Sequence, residues 1–176
     1  MTEPATVLVC GSLHLDIVVD APSLPSIDET INGTSVNYAF GGKGGNQAVA
    51  ASLHGAKTRF AGCIGEDEFG KTLHAHLIRH NINCENLQKT NGASGMSVAI
   101  VDDNGDYGAV IVSSANLNIN SDAIHLPSSA KFLLLQNEIP EQVNEQLAKK
   151  AQEKDIPVML NAAPFRTLPE KMVPLI

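Results

Sequence analysis

Short, almost continuous apolar segments constrain the fold of this chain more than any other feature. They read TVLVC at Thr6–Cys10, TRFAGCIG at Thr58–Gly65, KFLLLQNE at Lys131–Glu138 and IPVMLNAAP from Ile156. A strand with one face in water alternates apolar and polar residues, whereas these segments hardly alternate, which is typical of strands covered on both faces in a parallel sheet. The sequence therefore predicts a buried parallel sheet.

Helical patterns lie between these segments. Small residues dominate Gly44–Leu53, Asp67 stands where an N-cap belongs before a 3.6-residue apolar pattern, and Pro140 opens another such pattern. Strands that alternate with helices indicate an α/β fold. We expect a mostly parallel, Rossmann-like sheet with helices on both faces.

Two further segments interrupt this alternation. The chain from Asp16 to Phe40 breaks into the extended pieces DIVVD, ETING and TSVNYAF, and Ser94–Val101 and Tyr107–Val112 flank the turn sequence DDNGD. An Asn-Gly pair between apolar runs is the strongest local signal for a β-hairpin. We expect a small antiparallel β lid, inserted at about residues 16–40 and 94–112.

Composition and charge exclude several classes of partner. The chain has 176 residues, a net charge of -7 and a pI near 5.2, which disfavours nucleic acid and anionic membrane surfaces. Its apolar runs are shorter than the roughly 18 residues of a membrane span. Cys10, Cys63 and Cys84 are widely spaced, so neither a disulfide framework nor a zinc ribbon is indicated. These features predict a cytoplasmic protein that acts on a small molecule.

The stretch AFGGKGGNQAVAAS at Ala39–Ser52 is the most distinctive candidate binding segment. It is not a P-loop, because Lys43 is followed by Gly44 instead of Ser or Thr, and it lacks the third glycine of a dinucleotide fingerprint, where Gln47 stands. Glycines permit close approach, and amides at a helix start can donate to the oxygens of a hydroxyl-rich or anionic ligand. A flexible loop with a tight helix entry is the alternative interpretation.

No metal site is expected. Candidate ligands occur as a His76 and His80 pair, as the acidic run 66–68, and as Asp102 with Asp106 in a loop that imitates the start of a calcium site. A solvated helix face, a helix cap and a turn account for these three groups more simply.

Several motifs, taken in order along the chain, resemble one enzyme family. GGKGGNQA, with Gly55 and Gly65 at their present spacing, resembles the first signature of the PfkB carbohydrate kinases, the ribokinase-like family. VLVCGSLHLD and FAGCIGEDEFG are similar to that family's first two strands. SSAN, QNEIP and NAAP are similar to its ribokinase members.

The resemblance implies a set of sugar-binding residues: His14, Asp16, Gly42, Lys43, Asn46 and Glu138. The types suit the task, because a carboxylate accepts hydrogen bonds from hydroxyl groups and the amide of Asn46 both donates and accepts. The ribokinase pattern has asparagine where this chain has His14. The identity of the sugar therefore stays open, and a nucleoside is an alternative substrate.

The resemblance also implies the reaction, which is ATP-dependent phosphorylation of the primary hydroxyl of a sugar. ATP and Mg²⁺ are the expected cofactors of the complete enzyme, and a monovalent cation requirement is left open. The family's catalytic aspartate lies in a Gly-Ala-Gly-Asp motif and its magnesium-linked element is Asn-x-x-Glu; neither motif occurs in these 176 residues.

We therefore expect residues 1–176 to form an incomplete, amino-terminal ribokinase-like domain that lacks the C-terminal half of the fold. Such a chain would hold the sugar contacts and the lid, with no catalytic residue, no bound nucleotide or metal, and no activity alone. A non-catalytic remnant that binds sugar or dimerises is the rival interpretation. Exposed hairpin edges of the lid predict a homodimer.

Overall fold

The computed structural model of the protein describes residues 5–176, which contain nine strands and three α-helices. The strands are β1 Thr6–Cys10, β2 His14–Asp20, β3 Ser35–Gly41, β4 Lys57–Gly65, β5 Asn83–Thr90, β6 Met96–Val101, β7 Tyr107–Val112, β8 Ala130–Gln136 and β9 Val158–Asn161. The helices are α1 Lys43–Leu53, α2 Glu68–Arg79 and α3 Glu141–Gln152. Short 3-10 turns cover Ser114–Leu117, Ser121–Ala123 and Glu170–Leu175.

The main sheet has five parallel strands in the order β5-β4-β1-β8-β9. Alternate residues of its strands enter two separate cores: Leu8 and Leu133 pack on one face with Leu147 of α3, and Val9 packs on the other with Leu73 of α2. Each apolar segment of the sequence is a strand of this sheet. The predicted parallel sheet with helices on both faces is therefore confirmed.

One strand of the main sheet has no apolar signal in the sequence. β5 reads NCENLQKT and forms the edge beside β4, where one side of the strand needs no partner. The Asn86 amide reaches out from this strand, accepts from the His125 backbone N–H at 3.1 Å and donates to the His125 carbonyl at 2.8 Å. Backbone pairing and side-chain hydrogen bonds hold β5, so hydrophobic periodicity could not reveal it.

The second sheet, formed by β2, β3, β6 and β7, is called the lid below. Its order is β3-β2-β6-β7, and its two outer pairs are antiparallel, as predicted. The central pair, β2 with β6, is parallel, so the lid is a mixed sheet. The ETING piece at 29–33 is an exposed loop, and the prediction of a strand there was wrong because this loop pairs with neither sheet edge.

Asp67 joins α2 to the lid. Its carboxylate caps α2 by accepting from the Gly70 N–H at 2.8 Å, which confirms the predicted N-cap. The same carboxylate accepts from the N–H of Ser94 at 2.8 Å and from its hydroxyl at 2.6 Å, just before β6 begins. The Asp67 carboxylate therefore links the start of α2, just after β4, to the segment that leads into β6.

No helix among residues 5–176 combines the length and the apolar content needed to cross a bilayer. Cys10, Cys63 and Cys84 are free thiols, and the first two lie in the core of the main sheet. The cytoplasmic location stays a prediction.

Candidate functional site

The candidate site lies where β1 and β8 end and the lid begins. Ligands of open α/β sheets bind beyond the carboxyl ends of the strands, and this edge carries the glycine-rich start of α1. The strand predicted to reach Glu138 ends at Gln136 instead, so Glu138 occupies the turn before α3.

Glu138 is held by hydrogen bonds from two other segments. It accepts from the Lys43 N–H at 2.7 Å and from the Ser12 hydroxyl, and the Lys43 ammonium lies 3.0 Å from its other oxygen. Only 10% of its side chain is exposed. Burial acts to raise the pKa of Glu138, but the bonds from Ser12 and Lys43 outweigh it, so the pKa falls below its ordinary value. Glu138 is thus an ionised acceptor at neutral pH.

The glycines at the start of α1 bring the helix against the turn between β1 and β2. Gly42 has φ of 87°, and a Cβ there would lie 2.7 Å from the Ser12 carbonyl oxygen. A Cβ on Gly44 would lie 2.7 Å from the carbonyl carbon of Gly11. The Gly45 N–H donates to the Ser12 carbonyl at 2.9 Å. The amides of Lys43 and Gly45 are therefore paired with protein acceptors, and the glycines serve close packing here.

Asp16 and His14 lie at the start of β2. The Asp16 carboxylate accepts from the Ser97 hydroxyl of β6 at 2.6 Å and covers Gly41, whose Cβ would lie 2.0 Å from it. His14 is 3% exposed, and its Nε2 has no hydrogen-bond partner within the described part of the chain. Burial lowers the pKa of His14, although the Glu138 and Asp16 charges oppose this shift. His14 is therefore neutral near pH 7.

A cavity of about 390 Å³ lies beside these residues. His14 and Glu138 line it, together with Ile111 of the lid, Asn137 and Arg166. The cavity is therefore bounded by the lid, by the turn between β8 and α3 and by the segment after β9.

The other predicted site residues do not line this cavity. Lys43 contacts its wall through Glu138, Gly42 packs against Ser12, and Asp16 lies above Gly41. Asn46 is exposed one turn into α1 and is tied to the site only by its backbone bond to Gly42. The structure thus brings the predicted residues to one edge but leaves Asn46 outside the contact network.

Residues outside the predicted set also hold the site. Ser12 binds Glu138, Ser97 binds Asp16, and Asn116 binds the backbone of Leu13. Ser12 and Asn116 fall inside stretches that resemble the family, but their partners are far away in sequence. Only the fold reveals these contacts.

The candidate metal ligands of the sequence do not form a site. Within residues 5–176, no three His, Cys, Asp or Glu side chains cluster closely enough to hold a metal ion. His76 stacks on Phe40 with ring centroids 4.0 Å apart, and Asp102 accepts from the backbone of Asn104 and Asp106 as a turn. These residues therefore offer Mg²⁺ no ready ligand set.

Comparisons with known proteins agree with this geometry. The ribokinase of Bacillus subtilis is 32% identical over 171 residues, which covers 95% of this chain and 58% of that protein. The ribokinase of Mus musculus is 35% identical over 167 residues, covering 92% of this chain and 52% of that protein. The solved structure of Arabidopsis thaliana ribokinase complexed with ribose and ATP matches with a TM-score of 0.88 at 30% identity, over 99% of this chain and 59% of that one.

The chain therefore spans little more than half the length of these relatives. Residues 4–176 match the family model described as pfkB family carbohydrate kinase, which is almost the whole chain. The order of the motifs, the two sheets and the matched residues agree, and the chain belongs to the pfkB family of carbohydrate kinases.

Proposed function

We propose that this chain forms the sugar-binding and lid part of an ATP-dependent kinase that phosphorylates the primary hydroxyl of a sugar. The observation that carries the proposal is Glu138, a nearly buried carboxylate kept ionised by Lys43 and Ser12 beside a cavity. An ionised carboxylate accepts strong hydrogen bonds from hydroxyl groups, and its fixed position selects their geometry.

The proposed site residues differ in role. Glu138 accepts hydrogen bonds from sugar hydroxyls in the cavity, and Lys43 keeps Glu138 charged and oriented. Asp16, at the start of β2 outside the cavity lining, is the second proposed acceptor. The neutral imidazole of His14 shapes the cavity wall, and its buried Nε2 has no hydrogen-bond partner among the described residues. Asn46 would join the site only by turning its exposed side chain toward bound sugar.

Phosphoryl transfer also needs a base near the acceptor hydroxyl and a cradle for the nucleotide. The family motifs of the catalytic aspartate and of the magnesium-linked element are not among these residues. Transfer is therefore proposed for a protein that carries this sequence within a complete catalytic domain. ATP is its proposed phosphate donor, which the complex of Arabidopsis thaliana ribokinase with ribose and ATP supports. ATP bound with Mg²⁺ supplies the transferable phosphate.

Ribose is the first sugar to test, because the matched residues of two related ribokinases are 32% and 35% identical to this chain. His14 keeps a nucleoside as the second candidate, since an imidazole at the cavity wall differs in size and hydrogen bonding from asparagine. A non-catalytic sugar-binding remnant is the rival that involves no transfer.

Calorimetric titration identifies the class of ligand, and an assay of ADP release shows whether phosphate is transferred to it. We expect saturable binding of one class among pentoses, hexoses and nucleosides, and release of ADP when the gene product carrying this sequence receives that ligand with ATP and Mg²⁺. Binding without ADP release would favour the remnant.

Asp16→Asn should weaken binding of the preferred sugar by about tenfold, because a charged acceptor contributes more than a neutral one. Asp103→Asn in the exposed lid turn is the matched control and should bind like the wild type. Absence of saturable binding to every ligand tested would refute the proposed function.

We also propose that the lid mediates a homodimer. Its edge strand β7 exposes apolar side chains at Tyr107, Val110 and Ile111, with exposed fractions of 70%, 59% and 57%. An unpaired apolar edge favours association with an identical edge. The same partner would cover part of the apolar lid face.

Sedimentation velocity at micromolar concentration should therefore show a dimer. Val110→Asp should weaken the dimer by at least about tenfold, since burial of an unpaired charge is costly. Ile78→Asp on the exposed face of α2 is the control and should leave the dimer intact. A monomeric wild-type protein would contradict this proposal.

A further inference from the structure

Asn116 holds both backbone polar groups of one distant residue. Its Oδ1 accepts from the Leu13 N–H at 2.9 Å, and its Nδ2 donates to the Leu13 carbonyl at 2.9 Å. The Asn116 side chain is fully buried. An amide is suited to this contact because it presents a donor and an acceptor side by side.

Leu13 needs such a partner because it belongs to neither sheet. β1 ends at Cys10 and β2 begins at His14, so Leu13 lies in the crossing between the main sheet and the lid. Unpaired backbone groups in a buried segment cost free energy comparable to a lost hydrogen bond. The Asn116 amide replaces the strand pairing that Leu13 lacks.

The crossing carries the candidate site on both sides of Leu13. Ser12 precedes it and donates to Glu138, and His14 follows it and lines the cavity. A displacement of Leu13 would therefore move the hydroxyl that orients Glu138 and the imidazole of His14 together.

Gly95 shows how closely this arrangement is packed. A Cβ at Gly95 would lie 2.2 Å from the Asn116 Nδ2 and 2.7 Å from the His14 ring. Gly95 also accepts from the Leu15 N–H at 3.0 Å immediately before β6, and Asn116 follows β7 in a 3-10 turn. Both ends of the β6–β7 hairpin thus meet the crossing at the Asn116 amide.

We propose that Asn116 is a positioning residue for the sugar site, which it couples to the β6–β7 hairpin of the lid. It acts through Leu13 by fixing Ser12 against Glu138 and His14 at the cavity. This inference rests on the proposed sugar-binding function and assigns it a residue that does not touch the ligand.

The chain contains a matched control for this contact. Asn86 binds the backbone N–H and carbonyl of His125 in the same way, but at the β5 edge of the main sheet. A change at Asn86 removes the same kind of hydrogen bond without disturbing the β1–β2 crossing.

The test compares Asn116→Asp with Asn86→Asp in sugar titrations from about pH 5 to about pH 9, because burial raises the pKa of an introduced carboxyl group. When protonated, that group can still donate and accept like the amide; when ionised, it repels the Leu13 carbonyl. Relative to wild type at each pH, Asn116→Asp should lose about tenfold in sugar affinity at the alkaline end and recover at the acidic end. Asn86→Asp should follow the wild type throughout.

Equal affinity of Asn116→Asp and wild type at the alkaline end, or an equal loss in Asn86→Asp, would overturn the inference. If wild type itself binds no sugar, the proposed function fails first, so the two failures are distinguishable.

A second measurement needs no variant and covers the case in which Asn116→Asp does not fold. In hydrogen exchange on wild type, saturating sugar should slow the Leu13 amide by about tenfold or more and leave the His125 amide unchanged. The same change at both amides, or none at Leu13, would show that Asn116 does not act on the sugar site.

Discussion

Glu138→Gln is expected to weaken sugar binding by about 100-fold, since hydrogen bonds to a charged group contribute roughly 1.5–3 kcal/mol each. The substitution keeps the size of the side chain but removes its charge and replaces one acceptor oxygen with a donor NH₂. In one orientation of the amide, that NH₂ would face the Lys43 ammonium. In the other, it would face the Lys43 backbone N–H and the Ser12 hydroxyl, which now donate to the carboxylate. Calorimetric titration with the preferred sugar measures the loss directly.

The same variant has a pH signature in stability. Because the folded pKa of Glu138 lies below its ordinary value of 4.5, the ionised carboxylate contributes stability above that value. This contribution disappears as the pH falls through the folded pKa. The difference in unfolding free energy between wild type and Glu138→Gln should therefore be largest near neutral pH and shrink in acid, as measured by urea unfolding across that range.

Glu153→Gln provides the matched control, because Glu153 is exposed at the end of α3. It should change neither sugar affinity nor the pH dependence of stability appreciably. Sugar affinity of Glu138→Gln within about twofold of wild type would remove the main support for the proposed site.

Gly44→Ala should destabilise the fold by about 3 kcal/mol, since overpacking of a close contact typically costs 1–3 kcal/mol or more. The new Cβ would lie 2.7 Å from the Gly11 Cα and 2.7 Å from the Ser12 nitrogen. These atoms belong to the backbone at the end of β1 and cannot rotate away as a flexible side chain could. The helix start would have to move away from the β1–β2 crossing, which would also disturb Glu138.

The sign of this effect is informative. Alanine favours a helix over glycine by about 1 kcal/mol, so helix propensity alone predicts stabilisation of α1. Urea unfolding should instead show a loss, together with weaker sugar binding. Gly108→Ala in β7 is the control, because its Cβ would meet no atom within 4 Å. A stabilised Gly44→Ala protein would show that α1 does not pack against the crossing as described.

Hydrophobic pattern was enough to predict four of the five strands of the main sheet, because strands that are covered on both faces are mostly apolar. The sequence also indicated the cap at Asp67 and the hairpin turn at Gly105, which depend on neighbours within a few residues. The polar edge strand β5 was not predicted, since an edge strand needs less apolar surface. The parallel pairing of β2 with β6 was not predicted either, because about eighty residues separate the two strands.

The candidate site divides in the same way. Its residue types could be inferred from the order of the motifs, but only the tertiary structure showed that Lys43 and Ser12 hold Glu138 ionised and that Asn46 lies exposed. The two hydrogen bonds between the Asn116 amide and the Leu13 backbone join residues that are 103 positions apart. The local sequence pattern reflects how each segment buries its own apolar side chains and pairs its own backbone. The charge state of a site and the alignment of its groups depend instead on contacts that arise when separate segments pack together.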